Sequence, residues 1–251
     1  MASEGPGERV AIVTGAAGML GSAMARRLVA DGLRVAVADL DPAACATVAA
    51  AIDPSGARAR GFRLDVTDEA SVAAAVDAVV AWAGRVDVLV NNAGICEAPA
   101  PAWEMDLATW GRTLAIDLTG VFLCTRAVLP GMIARRWGRV VNISSIAGKE
   151  GKHNPVAYAA AKSGVIGLTK ATAFEVAPHG VLVNAITPGS IWSQNWAAMP
   201  EATRKEFEAR HPVGRFGQAD EVAAMVAFLA SDACSFSTGA VFDVSGGRAG
   251  Y

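Results

Sequence analysis

The chain has 251 residues, 53% of them hydrophobic and 18% charged, with a formal net charge of −2. That size buries a full core as one α/β domain, and the composition excludes a disordered chain. The near-neutral balance gives no electrostatic reason to expect nucleic acid or an anionic membrane as partner. In chain order, short β-branched runs alternate with longer amphipathic stretches, the pattern of a parallel sheet covered on both faces by helices. Val10 to Val13 reads as the first strand and Gly18 to Ala30 as the helix after it. Val35 to Ala38 is the second strand, followed by a helix around Ala43 to Ile52; Ala59 to Leu64 is the third, followed by Glu69 to Trp82. Val86 to Val90, Gly138 to Ile143 and Val181 to Ile186 supply strands four to six, with long helices over Leu107 to Arg135 and Val156 to Val176. Glu221 to Leu229 is a last helix and Val241 to Val244 a seventh strand. The expectation is one doubly wound domain over residues 1–251, with a flexible N-terminus at 1–8 and a substrate flap at about 190–212.

Met1 to Arg9 is polar and glycine-rich, without the apolar segment of a signal peptide. The nearest approach to a membrane-length apolar run, Val72 to Ala83, is interrupted by Asp77. A cytoplasmic protein away from membranes is expected. Cys45, Cys96, Cys124 and Cys234 form no CxxC pair, and His153, His179 and His211 are equally scattered, so no metal site is expected.

Thr14-Gly15-Ala16-Ala17-Gly18-Met19-Leu20-Gly21 follows the first strand directly and opens a helix. Small residues there let backbone N–H groups and the positive helix end approach a pyrophosphate, although an ordinary glycine-rich turn has the same spacing. Asp39 shifts the balance. It ends the second strand eighteen residues beyond Gly21, where a carboxylate accepts hydrogen bonds from adenosine ribose hydroxyls. It also repels a 2′-phosphate, and neither Leu40 nor the glycine loop offers a cation to receive one, so NAD is favoured over NADP. A helix cap or turn is the plain alternative for Asp39. Asn91-Asn92-Ala93-Gly94 after the fourth strand suits close backbone approach to the cofactor, and Asp65-Val66 after the third is placed to edge the adenine.

Tyr158 and Lys162 lie four residues apart, on one face of a helix, with Ser145 thirteen residues before the tyrosine. An ammonium beside a phenol favours the phenolate, which a proton-transferring tyrosine needs near neutral pH. TGAAGMLG, Asp39, NNAG at Asn91 to Gly94, NISS at Asn142 to Ser145, YAAAK at Tyr158 to Lys162 and Pro188-Gly189 together resemble the classical short-chain dehydrogenase/reductase family over essentially the whole chain. The resemblance implies a Rossmann-like fold, Tyr158 as general acid/base and Ser145 on the reacting oxygen. It makes Lys162 the residue that holds the nicotinamide ribose and lowers the tyrosine pKa. It implies that Thr14, Gly15 and Gly21 shape the pyrophosphate turn, that Asn92, Ala93 and Gly94 line the cofactor cleft, and that Pro188, Gly189, Ile191 and Ser193 lie on its nicotinamide side.

Two positions depart from the family pattern. Met19 replaces the middle glycine of the usual loop, with Gly18 one place earlier. Asp117 stands where the family has an asparagine supporting a proton relay, and a carboxylate near Lys162 opposes phenolate formation at Tyr158. At the substrate end, Gly148 to Pro155 forms a polar edge that includes Glu150 and His153, and Ser190 to Arg210 forms a flap carrying Trp192, Gln194, Asn195 and Trp196. Polar groups beside aromatic walls suit a small hydroxylated or carboxylated molecule; equally, the lysines there are solvated surface charges. More loosely, the closing segment and the GKEG loop resemble members acting on sugars and sugar acids such as 2-keto-3-deoxy aldonates. The resemblance also implies a homotetramer. The expected function is NAD-dependent interconversion of a secondary alcohol and a ketone. A 3-oxoacyl-[acyl-carrier-protein] reductase is the rival enzyme, and a non-catalytic NAD-sensing protein the rival of another class.

Overall fold

The computed structural model describes residues 8–151 and 155–249. Strands β1 (Val10–Thr14), β2 (Arg34–Asp39), β3 (Ala59–Arg63), β4 (Val88–Asn91), β5 (Gly138–Ile143), β6 (Val181–Pro188) and β7 (Val241–Val244) form one sheet in the order β3-β2-β1-β4-β5-β6-β7. Every pairing is parallel, and Ile12 lies opposite Ala36 on one side and Leu89 on the other. β1 and β5 are buried at every position, which suits the apolar run of β1 and requires partners for Arg139 and Asn142 in β5. The chain runs outward from β1 to β3 and then crosses to β4. This reversal opens a crevice beyond the carboxyl ends of β1 and β4.

Helices α1 (Met19–Ala30), α2 (Pro42–Ile52) and α3 (Glu69–Ala83) follow the first three strands. Asp41 and Asp68 cap α2 and α3 by accepting hydrogen bonds from free N–H groups of the first turn. On one sheet face Met24 and Leu28 of α1 pack with Val222, Val226 and Leu229 of the late helix Ala219–Leu229, so the apolar run at Ala223 to Leu229 is covered largely by the chain's own core. On the other face Val72 and Val79 of α3 meet Cys124, Val128 and Met132.

The segment Leu107 to Arg135, expected as one helix, is α4 (Leu107–Leu114), a π turn (Ala115–Thr119) and α5 (Gly120–Arg135). By length and mean hydropathy (1.4) it passes as membrane-crossing. One face of it packs into the core, where Val121, Cys124, Val128 and Met132 are buried, and the wide π turn carries Asp117 into the interior. β4 starts at Val88 rather than Val86, because the Asp87 carboxylate accepts the Val10 N–H at 3.0 Å and pairs with Arg85. The N-terminus is tied from Glu8 onward, through Glu8–Arg58 at 3.3 Å and Arg9–Asp232 at 2.7 Å, and residues 1–7 lie outside the described residues. Short helices not foreseen from sequence are α6 (Ala147–Glu150) and, in the segment expected as a flap, α8 (Gln194–Ala197) and α9 (Glu201–Glu208); α7 (Val156–Val176) and α10 (Ala219–Leu229) complete the set.

A buried amide ladder ties these layers together. Asn91 donates to Thr125 Oγ1 at 3.0 Å and to Asn142 Oδ1 at 2.8 Å, and Asn142 donates to Thr169 Oγ1 at 2.9 Å. It links β4 and β5 to α5 and α7, and satisfied polar groups in a low-dielectric core hold such geometry tightly.

Candidate active site

A cleft of about 800 Å³ follows the carboxyl ends of β1 to β4, lined by Gly15, Met19, Asp39, Asp65, Asn92 and Ile116 among others. Gly15 has φ +63°, and a Cβ on it would fall 2.8 Å from Ala93 Cα. A Cβ on Gly21 would fall 2.4 Å from the Gly15 carbonyl oxygen. Backbone therefore packs on backbone at both positions. Gly18 is different: its nearest neighbour would be Gly15 O at 3.4 Å, so the glycine displaced from position 19 to 18 is not required by space. Met19 is 45% exposed and starts α1 at the cleft wall.

Thr14 Oγ1 accepts the N–H groups of Asn92 and Ala93, each at 3.0 Å, while the Asn92 amide donates to the carbonyls of Thr14 and Gly15. The glycine loop and the NNAG turn are thus one clasped unit. The α1 N-terminus has no side-chain cap, which leaves its first N–H groups for an anion. Asp39 accepts from Ala17 N at 3.0 Å and Leu40 N at 2.7 Å, so it is both the turn residue and a carboxylate with spare lone pairs at the cleft. Asp65 is engaged by Thr67, whose hydroxyl and N–H hold the carboxyl below the usual range. Val66 packs beneath Gly120, where a Cβ would fall 2.8 Å from the valine side chain. Glycines that admit no Cβ, an uncapped helix end and this acid fit a dinucleotide.

A second cavity of about 230 Å³ shares Leu20, Asn92, Gly94 and Ile95 with the cleft and adds Ser145, Tyr158, Lys162, Pro188, Gly189 and Ile191. Lys162 is buried, its Nζ donating to Ile143 O at 3.1 Å and lying 5.5 Å from the Tyr158 ring centre. Ser145 lines the same cavity close enough to the phenol to lower its pKa, and accepts the Ala147 N–H at 3.1 Å. Burial raises the Tyr158 pKa, against the lowering effects of Lys162 and Ser145. Lys162 exerts the expected lowering influence, but desolvation of the phenolate outweighs it and the net shift is upward.

Asp117 accounts for part of this. Its Oδ2 lies 3.3 Å from Lys162 Nζ, and its Oδ1 accepts the Ile95 N–H at 2.8 Å. The Nζ contact is a close charge pair without good hydrogen-bond alignment, which leaves Oδ2 short of a directed donor. Burial raises the Asp117 pKa and Lys162 opposes that shift; its charge adds to the upward pressure on Tyr158.

Sequence reasoning did not single out Glu97 or Arg112. Glu97 Oε1 accepts the Tyr158 backbone N–H at 3.0 Å and its Oε2 accepts from Thr113 at 3.3 Å, so a loop carboxylate supports the first turn of the helix that carries the tyrosine. Arg112 lines the dinucleotide cleft from α4. At the substrate end, the Glu150 carboxylate is bound by Arg248 at 2.8 Å, and Lys149 pairs with Asp243 at 3.1 Å. Glu150 thus pins the closing segment instead of presenting a free charge. Trp192 packs edge-on against Phe216, and Trp196 stacks 4.7 Å from both Phe207 and Phe216. Asn195 is exposed on α8, and Ser193 precedes that helix. None of Trp192, Ser193, Asn195 and Trp196 lines the second cavity, and His153 lies outside the described residues.

A family model described as Enoyl-(Acyl carrier protein) reductase matches residues 15–249. The chain is 45% identical over 240 residues to 2-dehydro-3-deoxy-L-rhamnonate dehydrogenase (NAD(+)) of a Sphingomonas strain, covering 96% of this chain and 95% of that one. It is 48% identical to cis-4-hydroxycyclohexanecarboxylate dehydrogenase of Sinomonas cyclohexanicum, with 96% of each covered. It is 38% identical to a 3-oxoacyl-[acyl-carrier-protein] reductase of Aquifex aeolicus, covering 95% of this chain and 96% of that one. The crystal structure of gox2181 superposes with a TM-score of 0.93 at 38% identity, covering 97% of this chain and 96% of that one.

Proposed function

Because the chain belongs to the short-chain dehydrogenase/reductase family, we propose that it is an NAD-dependent dehydrogenase interconverting a secondary alcohol and a ketone on a small polar molecule. The observation that carries this reading is the convergence of Ser145, Tyr158 and Lys162 in a cavity continuous with a dinucleotide cleft that ends at Asp39. NAD bound in that cleft supplies the hydride acceptor in oxidation and the donor in reduction. In oxidation Tyr158 takes the hydroxyl proton of the substrate, and Ser145 donates to the same oxygen while charge builds on it. Lys162, fixed by Ile143, favours the phenolate and is placed to meet the nicotinamide ribose. The backbone of Pro188, Gly189 and Ile191 walls the nicotinamide side.

Asp39 supports NAD over NADP, since Leu40 beside it carries no charge and Arg112 approaches from α4 instead. The relatives acting on a deoxy sugar acid and a hydroxycyclohexanecarboxylate support a small hydroxylated, carboxylate-bearing substrate, such as a 2-keto-3-deoxy aldonate. The alternative of a 3-oxoacyl-[acyl-carrier-protein] reductase draws on the 38% relative. A net charge of −2 favours it less, because the carrier is acidic. We further read the whole chain as one catalytic domain of a cytoplasmic homotetramer; the exposed Phe122, Phe174 and Phe236 are apolar groups that subunit contacts would cover. A panel of polyols, sugar acids and hydroxy acids, read by NADH absorbance with NAD and NADP in parallel, tests the proposal. NADH binding without turnover of any alcohol or ketone in the panel would revive a sensing protein.

A further inference from the structure

The loop after β6 and the flap helix α9 are joined by one side chain. His211 is 3% exposed. Its Nε2 faces the Ser190 N–H at 3.1 Å, and its Nδ1 faces the Phe207 carbonyl at 2.9 Å. An acceptor at Nε2 and a donor at Nδ1 require the neutral imidazole with its proton on Nδ1. The ring is held closely, since a Cβ on Gly189 would fall 3.0 Å from Nε2. Phe207 also stacks on Trp196, which stacks on Phe216, so the α9 arm reaches the aromatic cluster of the flap. On its other side the loop is fastened by Gly217, which donates to Ser190 O at 3.0 Å and accepts from Trp192 N at 2.8 Å. The imidazole adds a polar link from this loop to α9, beside the ring contact of Trp196 with Phe207.

We propose that His211 is a positioning residue, a two-armed latch that sets the nicotinamide-side loop against the flap. It touches neither the reacting atoms nor the cavity around Tyr158, and acts through the Ser190 backbone on one arm and Phe207 on the other. The proposal rests on the dehydrogenase reading above. Sequence alone gives no sign of it, because the Ser190 arm joins residues 21 apart in the chain, while the Phe207 arm is a local contact four residues back.

Two conservative substitutions separate the arms. In His211→Gln the side-chain oxygen reaches the place of Nε2 and keeps the Ser190 arm. In His211→Asn the amide nitrogen reaches the place of Nδ1 and keeps the Phe207 arm; His211→Leu loses both. NADH affinity, measured by fluorescence titration, should stay within about two-fold of wild type in His211→Gln and weaken about ten-fold in His211→Asn and His211→Leu, the loss of one buried hydrogen bond. Tryptic cleavage within α9, at Arg204 or Lys205, should accelerate in His211→Gln and His211→Leu and stay slow in His211→Asn. Equal behaviour of the glutamine and asparagine variants in both readouts would reduce His211 to a space-filling ring and overturn the proposal. So would wild-type NADH affinity in His211→Asn. If His211→Leu does not fold, the other pair decides. If the wild-type protein does not bind NADH, the dehydrogenase reading fails, while the cleavage pattern still tests the latch.

Discussion

Replacing Asp117 with asparagine removes the carboxylate that sits against Lys162, the residue proposed to tune Tyr158. Its Oδ2 is 3.3 Å from Lys162 Nζ, which is 5.5 Å from the Tyr158 ring centre. These two contacts, 3.3 Å and 5.5 Å, bound the carboxylate within about 8.8 Å of the ring centre, and two unit charges about 9 Å apart at an effective dielectric of about 20 repel by about 2 kcal/mol, or about 1.4 pKa units. Water in the open cavity trims this to about one unit. The asparagine oxygen still accepts the Ile95 N–H, and Lys162 keeps its bond to Ile143 O. In Asp117→Asn the acid limb of kcat/KM for alcohol oxidation should therefore move down by about one pH unit, with the plateau unchanged and rates on the limb rising several-fold, up to about ten-fold. The assay is NADH formation from pH 5.5 to 10 on an alcohol found in the substrate panel. Stability gives an independent check of sign. Burial raises the Asp117 pKa, so the stabilisation from its neutral form is full below the unfolded value of about 4 and is lost as pH rises through the folded value. The variant should thus gain on wild type in thermal midpoint as pH rises above about 4, whatever constant cost an unpaired Lys162 adds. A limb that moves upward, or a folded variant whose plateau collapses, would refute the electrostatic argument and give the carboxylate an essential role of its own.

Tyr158→Phe should keep NADH binding and lose turnover by about 10²- to 10⁴-fold, the share of a positioned acid/base; near-normal rates would end that assignment. Gly21→Ala drives a methyl to 2.4 Å from Gly15 O, and should cost about 1–3 kcal/mol and weaken NADH binding, read by thermal melting and titration. Asp39→Ser removes the charge that repels a 2′-phosphate, so the ratio of kcat/KM for NADP to that for NAD should rise about ten-fold or more; an unmoved ratio would mean that Asp39 serves only the turn to Ala17. Asn142→Ala strips the amide ladder of its centre and should lower stability by about 1–3 kcal/mol, with a melting point several degrees down.

Much of the fold was legible because its signals are local. The succession of strands and helices follows from β-branched runs separated by amphipathic stretches, the glycine loop from its place between β1 and α1, and the Tyr158–Lys162 pairing from helical spacing. What escaped reading depends on contacts distant in sequence. The π turn at Ala115–Thr119 lies inside an unbroken apolar helical pattern, and what holds it is Asp117 reaching Lys162 and Ile95. Glu97 looks like one more loop acid until the fold brings it under the Tyr158 N–H. Glu150 reads as a pocket charge because its partner Arg248 lies 98 residues away. The lowering influence of Lys162 on Tyr158 was legible from spacing, while the burial that outweighs it comes only from the assembled structure.

The pairing of β1 with β4 has a kinetic consequence. The Val10 N–H meets the Asp87 carboxylate across 77 residues, and the Thr14 clasp on Asn92 and Ala93 spans a similar interval. Loop closure on that scale is entropically slow compared with forming α1 or α2, which need only neighbours. During synthesis the glycine loop therefore emerges long before the turn that completes it. A nascent chain carrying β1 to β3 exposes one bare strand edge where β4 will dock, and holds half a nucleotide cradle until β4 arrives.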